Sequence, residues 1–213
     1  MSHKIKKYIY SLLPFEISWT LQKSFLVKKI KQVLNYEVCM IVYHPTVYTL
    51  GAKASREFLR FNFGLEQLNL HKIDRGGQIT VHAPGQITLY PVLDLHHYKC
   101  DLHWYIFEIE ELVITTLQSY EIAAYRIEGF PGVWWKNSKI ASVGIKISNW
   151  ISIHGVGINL HIDLNNYSHI VPCGIFFGEI FNINGLVFPN SEVQFKWKLL
   201  KIRGGDFPYK SIK

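Results

Sequence analysis

The feature that most constrains the fold is a change in hydrophobic period along the chain. From Glu16 to Asn35 apolar residues fall at Ile17, Trp19, Leu21, Phe25, Leu26, Ile30, Val33 and Leu34. That spacing predicts an amphipathic helix. Val38–Tyr43 then reads as a buried strand and Val47–Leu50 as a second, with Gly51 as a break. Ser55–Phe61 reads as the start of another helix, with Ser55 as its cap. From Gln78 the period becomes two. Ile79 and Val81, then Ile87 and Leu89, flank Ala83-Pro84-Gly85, which predicts strand, tight turn, strand. Asp101 is placed to cap a helix with apolar positions Leu102, Ile106, Ile109, Leu112, Val113, Leu117 and Tyr120. Val133–Trp135, Ile140–Ile147 and Ile151–Leu160 alternate like strands, and Glu192–Ile202 reads as a terminal helix. Helices and strands mix without a regular βαβ rhythm, so the expected class is α+β.

At 213 residues the chain is expected to form one domain, 1–213. Its stretch Gly76–Leu93 lacks charge but carries Gln78, Thr80, His82, Gln86, Thr88 and two prolines, so it cannot span a bilayer. The basic start is followed by a short apolar patch and Glu16 without a small-residue cleavage site, which argues against a signal peptide. Three cysteines, Cys39, Cys100 and Cys173, are too few and too odd in number for a disulfide framework. A cytoplasmic location is expected.

The net charge is +7, concentrated at the ends: Lys4, Lys6, Lys7, Lys28, Lys29 and Lys31, then Lys196, Lys198, Lys201, Arg203, Lys210 and Lys213. These read as solvated faces and tails, or as a rim that attracts an acidic partner. No nucleic-acid motif accompanies them, and no nucleic-acid or membrane partner is expected.

Three clusters carry residues suited to chemistry. The first is Arg75-Gly76-Gly77-Gln78-Ile79-Thr80-Val81-His82, followed by Gly85-Gln86. It is either a glycine turn entering a hairpin or a place where backbone approaches a ligand beside a fixed charge and a titratable ring. The second is Gly132-Val-Trp-Trp, then Lys139 and Ser142-Val143-Gly144. Lys139 is either a snorkelling strand-end lysine or an acid/base in an apolar setting. The third is His154-Gly155-Val156-Gly157, ahead of Pro172-Cys173-Gly174. Cys173 is either a small buried hydrophobe or an accessible turn thiol. His96, His97, Cys100 and His103 match no standard zinc spacing, and no metal is expected. Gly155-Val-Gly157 lacks the third glycine of a dinucleotide fingerprint.

Taken together, the strings HPTVYTLGAKASREFL, RGGQITVHAPGQITLYPVLDL, GVWWKNSKIASVGIKISNWISIHGVGINLHIDL and HIVPCGI resemble bacterial octanoyltransferases of lipoate biosynthesis, in order from about Tyr43 to Ile175. The resemblance implies the α+β fold shared with biotin and lipoate protein ligases, with a mixed, mostly antiparallel sheet flanked by helices. It implies that Cys173 takes octanoyl from acyl carrier protein as a thioester, and that Lys139 pairs with it. It further implies that Arg75, Gly76, Gly77, Gln78, Ile79, Thr80, Val81, His82, Ser142, Val143, Gly144, Gly155, Val156 and Gly157 line the acyl pocket. The acceptors it implies are lipoyl domains of 2-oxoacid dehydrogenase complexes and the H-type protein of glycine cleavage. No cofactor is expected, and the enzyme is expected to act as a monomer. The alternatives are an ATP-dependent ligase on the same fold and a non-catalytic basic scaffold for carrier or lipoyl domains.

The chain departs from the family at Val81, where Tyr is usual, at Ala83, where Gly is usual, and at Gly157, where Ala is common. After Ile175 it reads FFGEIFNING in place of the usual Thr-Ser step. The Val81 change is expected to remove part of a pocket wall, and Ala83 to shift a turn.

Overall fold

The structure, a computed structural model, describes residues 4–60 and 68–171, together with Ile180, Asn182, Ile183, Phe195 and Leu199. The first period-3.6 segment is helix α1, Phe15–Ile30. Glu16 lies in its first turn and Lys28 and Lys29 in its last, both of the sign the helix dipole favours. Gln32, with φ +55°, turns the chain out of it.

The buried stripe of α1 is only in part the apolar set expected from the sequence: Leu26 is buried and Trp19, Leu21 and Phe25 pack half-buried against the cores. The fully buried residues are Phe15, Ser18, Gln22, Leu26 and Lys29. Ile17 is 49% exposed and Val33, beyond the helix, 72%. Each polar member of the stripe has a partner inside. Ser18 Oγ donates to the Phe15 carbonyl, Lys29 Nζ pairs with Glu37 at 2.7 Å, and Gln22 Oε1 accepts the His154 N–H at 2.8 Å, while Gln22 Nε2 finds no acceptor among the described residues. A buried polar group with a partner costs little, so position toward the sheet outweighs side-chain hydrophobicity. Lys29 is therefore not part of a solvated rim, whereas Lys4, Lys6, Lys7, Lys28 and Lys31 are exposed.

Among the described residues ten strands follow the helix or precede it: β1 (Ile5–Tyr10), β2 (Glu37–Val42), β3 (Val47–Leu50), β4 (Leu70–Lys72), β5 (Ile79–His82), β6 (Gln86–Val92), β7 (Tyr125–Ile127), β8 (Phe130–Trp135), β9 (Ser138–Ser148) and β10 (Ile151–Asn159). Seven form a sheet in the order β1-β2-β6-β10-β9-β8-β7, antiparallel except for β1 with β2. The other three form a small sheet, β4-β3-β5, in which β3 and β4 run parallel. The class is α+β.

The expected hairpin across Ala83–Gly85 is corrected. β5 pairs with β3 and β6 with β2 and β10, so the turn hands the chain from one sheet to the other. Its positive φ falls on Gly85 (+89°), not Ala83, so the methyl of Ala83 is accommodated. The Gly85 carbonyl accepts from Leu160 and His161, and a Cβ at Gly85 would lie 2.6 Å from the His161 backbone. Ser55 leads only into a short 3-10 turn, Arg56–Phe58, instead of a longer helix. The terminal helix expected at 192–202 lies outside the described residues except Phe195 and Leu199, both helical and buried.

Helix α2 (Leu102–Gln118) begins as expected, with Asp101 accepting the Trp104 N–H at 3.0 Å. The large sheet is covered on both faces. Val38, Met40, Val42, Tyr90, Val92, Ile151 and Ile153 pack toward Leu26 of α1. Ile41, Ile87, Leu89, Val156 and Ile158 pack toward Tyr105, Ile109, Leu112, Val113 and Leu117 of α2. Alternate side chains of one strand thus enter different cores, which is why the central strands read as continuous apolar runs.

Candidate active site

A cavity of about 380 Å³ opens where the Ile73–Thr80 segment crosses the middle of the large sheet. That size is at the low end for small-molecule sites. Its floor follows from strand register. Gly155 pairs with Gly144 and Gly157 with Ser142, so four adjacent positions on one face of β9 and β10 carry at most a hydroxymethyl group. The side-chain-free sheet admits the Arg75–Gly77 backbone above it. The Gly76 N–H donates to the Ile145 carbonyl at 2.8 Å, and a Cβ on Gly144 would lie 3.1 Å from both Arg75 Cδ and the Gly76 carbonyl oxygen. Gly51 backs the same segment, and a Cβ there would collide with the Gly77 carbonyl.

The walls are mixed. Arg75 is buried, and its guanidinium donates to the Thr49 carbonyl and hydroxyl and to the Gly76 carbonyl. His82 Nδ1 meets Gln86 Oε1 at 2.7 Å. Gln86 Nε2 is committed to Val81 O and Asn159 Oδ1, so Oε1 accepts, Nδ1 carries the proton, and His82 Nε2 is the bare nitrogen. Burial, followed by the neighbouring His44, pushes His82 down to about 3. His44, pushed down to about 4 by burial, bonds the Leu13 carbonyl and the Tyr90 hydroxyl. Both rings are neutral at physiological pH and pack around Phe15.

Lys139 is only 3% exposed, and Nζ stands 5.4 Å from the centroid of the Trp134 ring. Gly132 makes room for it. A Cβ at Gly132 would collide with Lys139 Cε and lie 3.3 Å from Nζ. Lys139 also bridges to Ile180, seven residues beyond Cys173. Cys173 itself lies outside the described residues.

The segments singled out in the sequence converge here. Arg75, Gly76, Gly77, Gln78, Thr80, His82, Lys139, Ser142, Val143, Gly144, Gly155, Val156 and Gly157 all line the cavity. Ile79 and Val81 do not. Strand alternation turns them into the core of the small sheet, with Tyr48, Leu50, Ala83 and Ile162. The substitution of Val for Tyr at 81 therefore alters that core and not a cavity wall.

Sequence reasoning singled out His154, which is on the lining, and passed over Phe15, Tyr90 and Ile106 there and Asp74 behind it. His154 Nε2 donates to Asp74 at 2.9 Å, and Lys146 pairs with the other oxygen at 2.7 Å. The His154 hydrogen bond first, then Lys146, holds the Asp74 carboxyl well below the usual carboxylate range. The one available signal for Asp74 was adjacency, since it precedes Arg75. The His96–His103 group makes no joint site. His96 pairs with Asp94 and His97 with Glu37, and among the described residues no cluster of three or more such groups could hold a metal ion. Cys39 is pushed up to about 12 by burial and is inert as a thiolate. Among the described residues no helix is long and apolar enough to cross a membrane.

Residues 14–199 match the family model of the lipoyl protein ligase A/B catalytic domain. An octanoyltransferase of Nostoc sp. is 40% identical over 168 residues, spanning 79% of this chain and 76% of its own length. A chloroplastic octanoyltransferase of Arabidopsis thaliana is 39% identical over 181 residues, covering 83% of this chain, which spans 65% of that relative. In three dimensions, a lipoate-protein ligase A solved with bound ATP superposes with a TM-score of 0.69 at 14% identity, covering all of this chain and 90% of that one.

Proposed function

We propose, from the premise that this chain belongs to the lipoyl protein ligase A/B catalytic-domain family, that it is an acyltransferase moving octanoyl from acyl carrier protein to a lysine of lipoyl domains. The observation that carries this reading is the run of octanoyltransferases at about 40% identity over most of the chain. Residues 1–213 act as one catalytic domain, and lipoyl domains of the 2-oxoacid dehydrogenase complexes and the glycine-cleavage H-type protein are the acceptors.

The reaction has two thioester-level steps. Lys139 takes the Cys173 proton, the thiolate attacks the carbonyl of the octanoyl thioester, a carbon–sulfur bond forms to Cys173 as the bond to the carrier sulfur breaks, and the carrier thiol leaves with the proton returned by Lys139. The acceptor amine then attacks the acyl-Cys173 carbonyl, its proton passes to Lys139, and the Cys173 thiolate departs. A cation beside the thiol favours the thiolate over the neutral form. The cavity supports the acyl half of this chemistry. Its glycine floor offers close van der Waals contact along a straight chain, and each CH₂ withdrawn from water contributes about 0.8 kcal/mol. Neutral His82 adds hydrogen-bonding capacity on the lining without introducing a charge that would repel an incoming lysine. Exposed Lys4, Lys6, Lys7, Lys28 and Lys31 suit acidic protein substrates.

Intact mass spectrometry after incubation with octanoyl carrier protein tests the reading. One octanoyl adduct is expected, released by hydroxylamine and absent from Cys173→Ala. No adduct on the unmodified chain, or an adduct that survives Cys173→Ala, overturns it. Octanoate with ATP is expected not to substitute for the carrier thioester.

A further inference from the structure

We propose that Glu110 is a positioning residue for Lys139, acting through Gly132. The proposal rests on the role given to Lys139 above and adds a residue from a different element, helix α2.

Glu110 is 6% exposed and stands on the face of α2 that packs on the sheet. A carboxylate in such a place is costly unless every oxygen finds a partner. Both do. Oε1 accepts the Gly132 N–H at 2.6 Å, and Oε2 accepts Arg126 Nε at 3.1 Å. The Gly132 bond is the informative one. It runs from helix to strand at the point where the β8–β9 ladder loses register, between Val133 and Trp134. Irregularities of this kind redirect a side chain. The redirected side chain is Lys139, whose Cε fills the space a Cβ at Gly132 would take. Gly132 has φ +134°, which only glycine adopts without strain. Glu110 thus anchors the one strand position whose lack of a side chain seats the lysine.

Its charge acts in the same direction. The charged groups facing Glu110 are Arg126 from β7, Lys139 from β9 and, through a shared Arg126, Glu111 from its own helix. Burial raises the Glu110 carboxyl above its usual range, against the Gly132 N–H, Arg126 and Lys139. The Lys139 charge thus faces the Glu110 carboxylate from the seat that Gly132 leaves open. Arg126 also bonds Glu111 at 2.7 Å and the Phe107 carbonyl, so Glu110 shares its cation.

Steady-state kcat and KM for octanoyl transfer distinguish the possibilities. Glu110→Gln keeps an acceptor oxygen for Gly132, whereas Glu110→Ala removes it. Glu110→Ala is expected to lower kcat about tenfold or more with KM within about twofold, and Glu110→Gln to hold kcat within about threefold of the unmodified chain. In a Lys139→Ala background, Glu110→Ala should cause no further loss of kcat. If Glu110→Ala leaves kcat unchanged, or lowers it further where Lys139 is already replaced, the positioning role is overturned while the Lys139 reading stands. If Lys139→Ala itself leaves kcat unchanged, both fall. Should Glu110→Ala fail to fold, Glu110→Asp, which shortens the reach to Gly132, carries the same expectation and the same overturning result.

Discussion

His154 Nε2 donates to Asp74 at 2.9 Å, joining residues 80 apart in the chain. The pair ties the segment that crosses the cavity to the strand that floors it. Lys146, which faces Ile153 across β9 and β10, takes the second Asp74 oxygen. His154 is held at φ +61°, an unfavourable setting for a non-glycine residue, and its own N–H is taken by Gln22 of α1. Helix, sheet and crossing segment therefore meet at one imidazole.

Asp74→Asn should loosen the Arg75–Gly77 segment more than it destabilises the fold. Asp74 and Lys146 are both about one-third exposed, so the loss of charge costs about 1 kcal/mol or less. KM for the octanoyl donor should rise severalfold. Urea unfolding beside steady-state kinetics makes the comparison, and an unchanged KM would reduce the clamp to a purely structural one.

Stability should decline as pH falls from neutrality toward about 4. His44, His82 and His154 each have a folded-state pKa below the ordinary 6.5, chiefly through burial. Groups depressed in this way contribute fully above about 6.5 and lose that contribution as pH drops toward the folded values. For His44, the gap between 6.5 and about 4 corresponds to about 3 kcal/mol. Asp74, also depressed, adds its loss only below the usual carboxylate value of 3.8. Unfolding free energies measured at several pH values should fall across this window, and a flat curve between about pH 7 and about pH 4.5 contradicts the buried neutral histidines.

The cavity glycines should rank by what stands opposite them. At Gly155 a Cβ meets the Leu89 backbone carbonyl of β6, which cannot move without breaking the ladder. Gly155→Ala should cost about 3 kcal/mol. At Gly157 the obstacle is the end of the Gln86 side chain, 2.9 Å away, which can shift. Gly157→Ala should cost about 1 kcal/mol or less in stability, and it should disturb the Gln86 bond to His82. The reverse order of melting temperatures would mean that the floor is not where the register puts it.

Glu37→Gln should be among the most damaging polar substitutions. Glu37 and Lys29 are both nearly fully buried, and Glu37 also accepts from the Asp94 N–H and meets His97 Nδ1. Removing its charge leaves the Lys29 ammonium buried without a counter-charge, at a cost of about 3–5 kcal/mol. The double variant Glu37→Gln, Lys29→Met should recover part of the loss. Equal stability of single and double variants would argue against the pair.

Local features were readable because they are encoded locally. The Asp101 cap needs only a carboxylate three residues before Trp104. The start of α1, the extent of α2 and the existence of β8, β9 and β10 follow from spacing, whereas α1 ends at Ile30, short of the expected Asn35. The glycines of Arg75–Gly77 and Gly155–Gly157 mark backbone approach from the sequence alone. Periodicity was insufficient where two strands meet at a turn, because alternation predicts which face is apolar and not which strand lies alongside. Hence β5 and β6, adjacent in sequence, belong to different sheets.

The sequence by itself determined the two long helices, the central strands, the clusters and, through its resemblance, the family, but not the edge strands β1, β4 and β7. Only the tertiary structure decided which face of α1 is buried, because Ser18, Gln22 and Lys29 are acceptable inside solely by virtue of Phe15, His154 and Glu37. It likewise decided that Val81 packs in a core and that Glu110 reaches Gly132. The physical reason is common to all of these. A polar group's cost or benefit when buried depends on its partner, and the partners here lie up to 132 residues away in the chain.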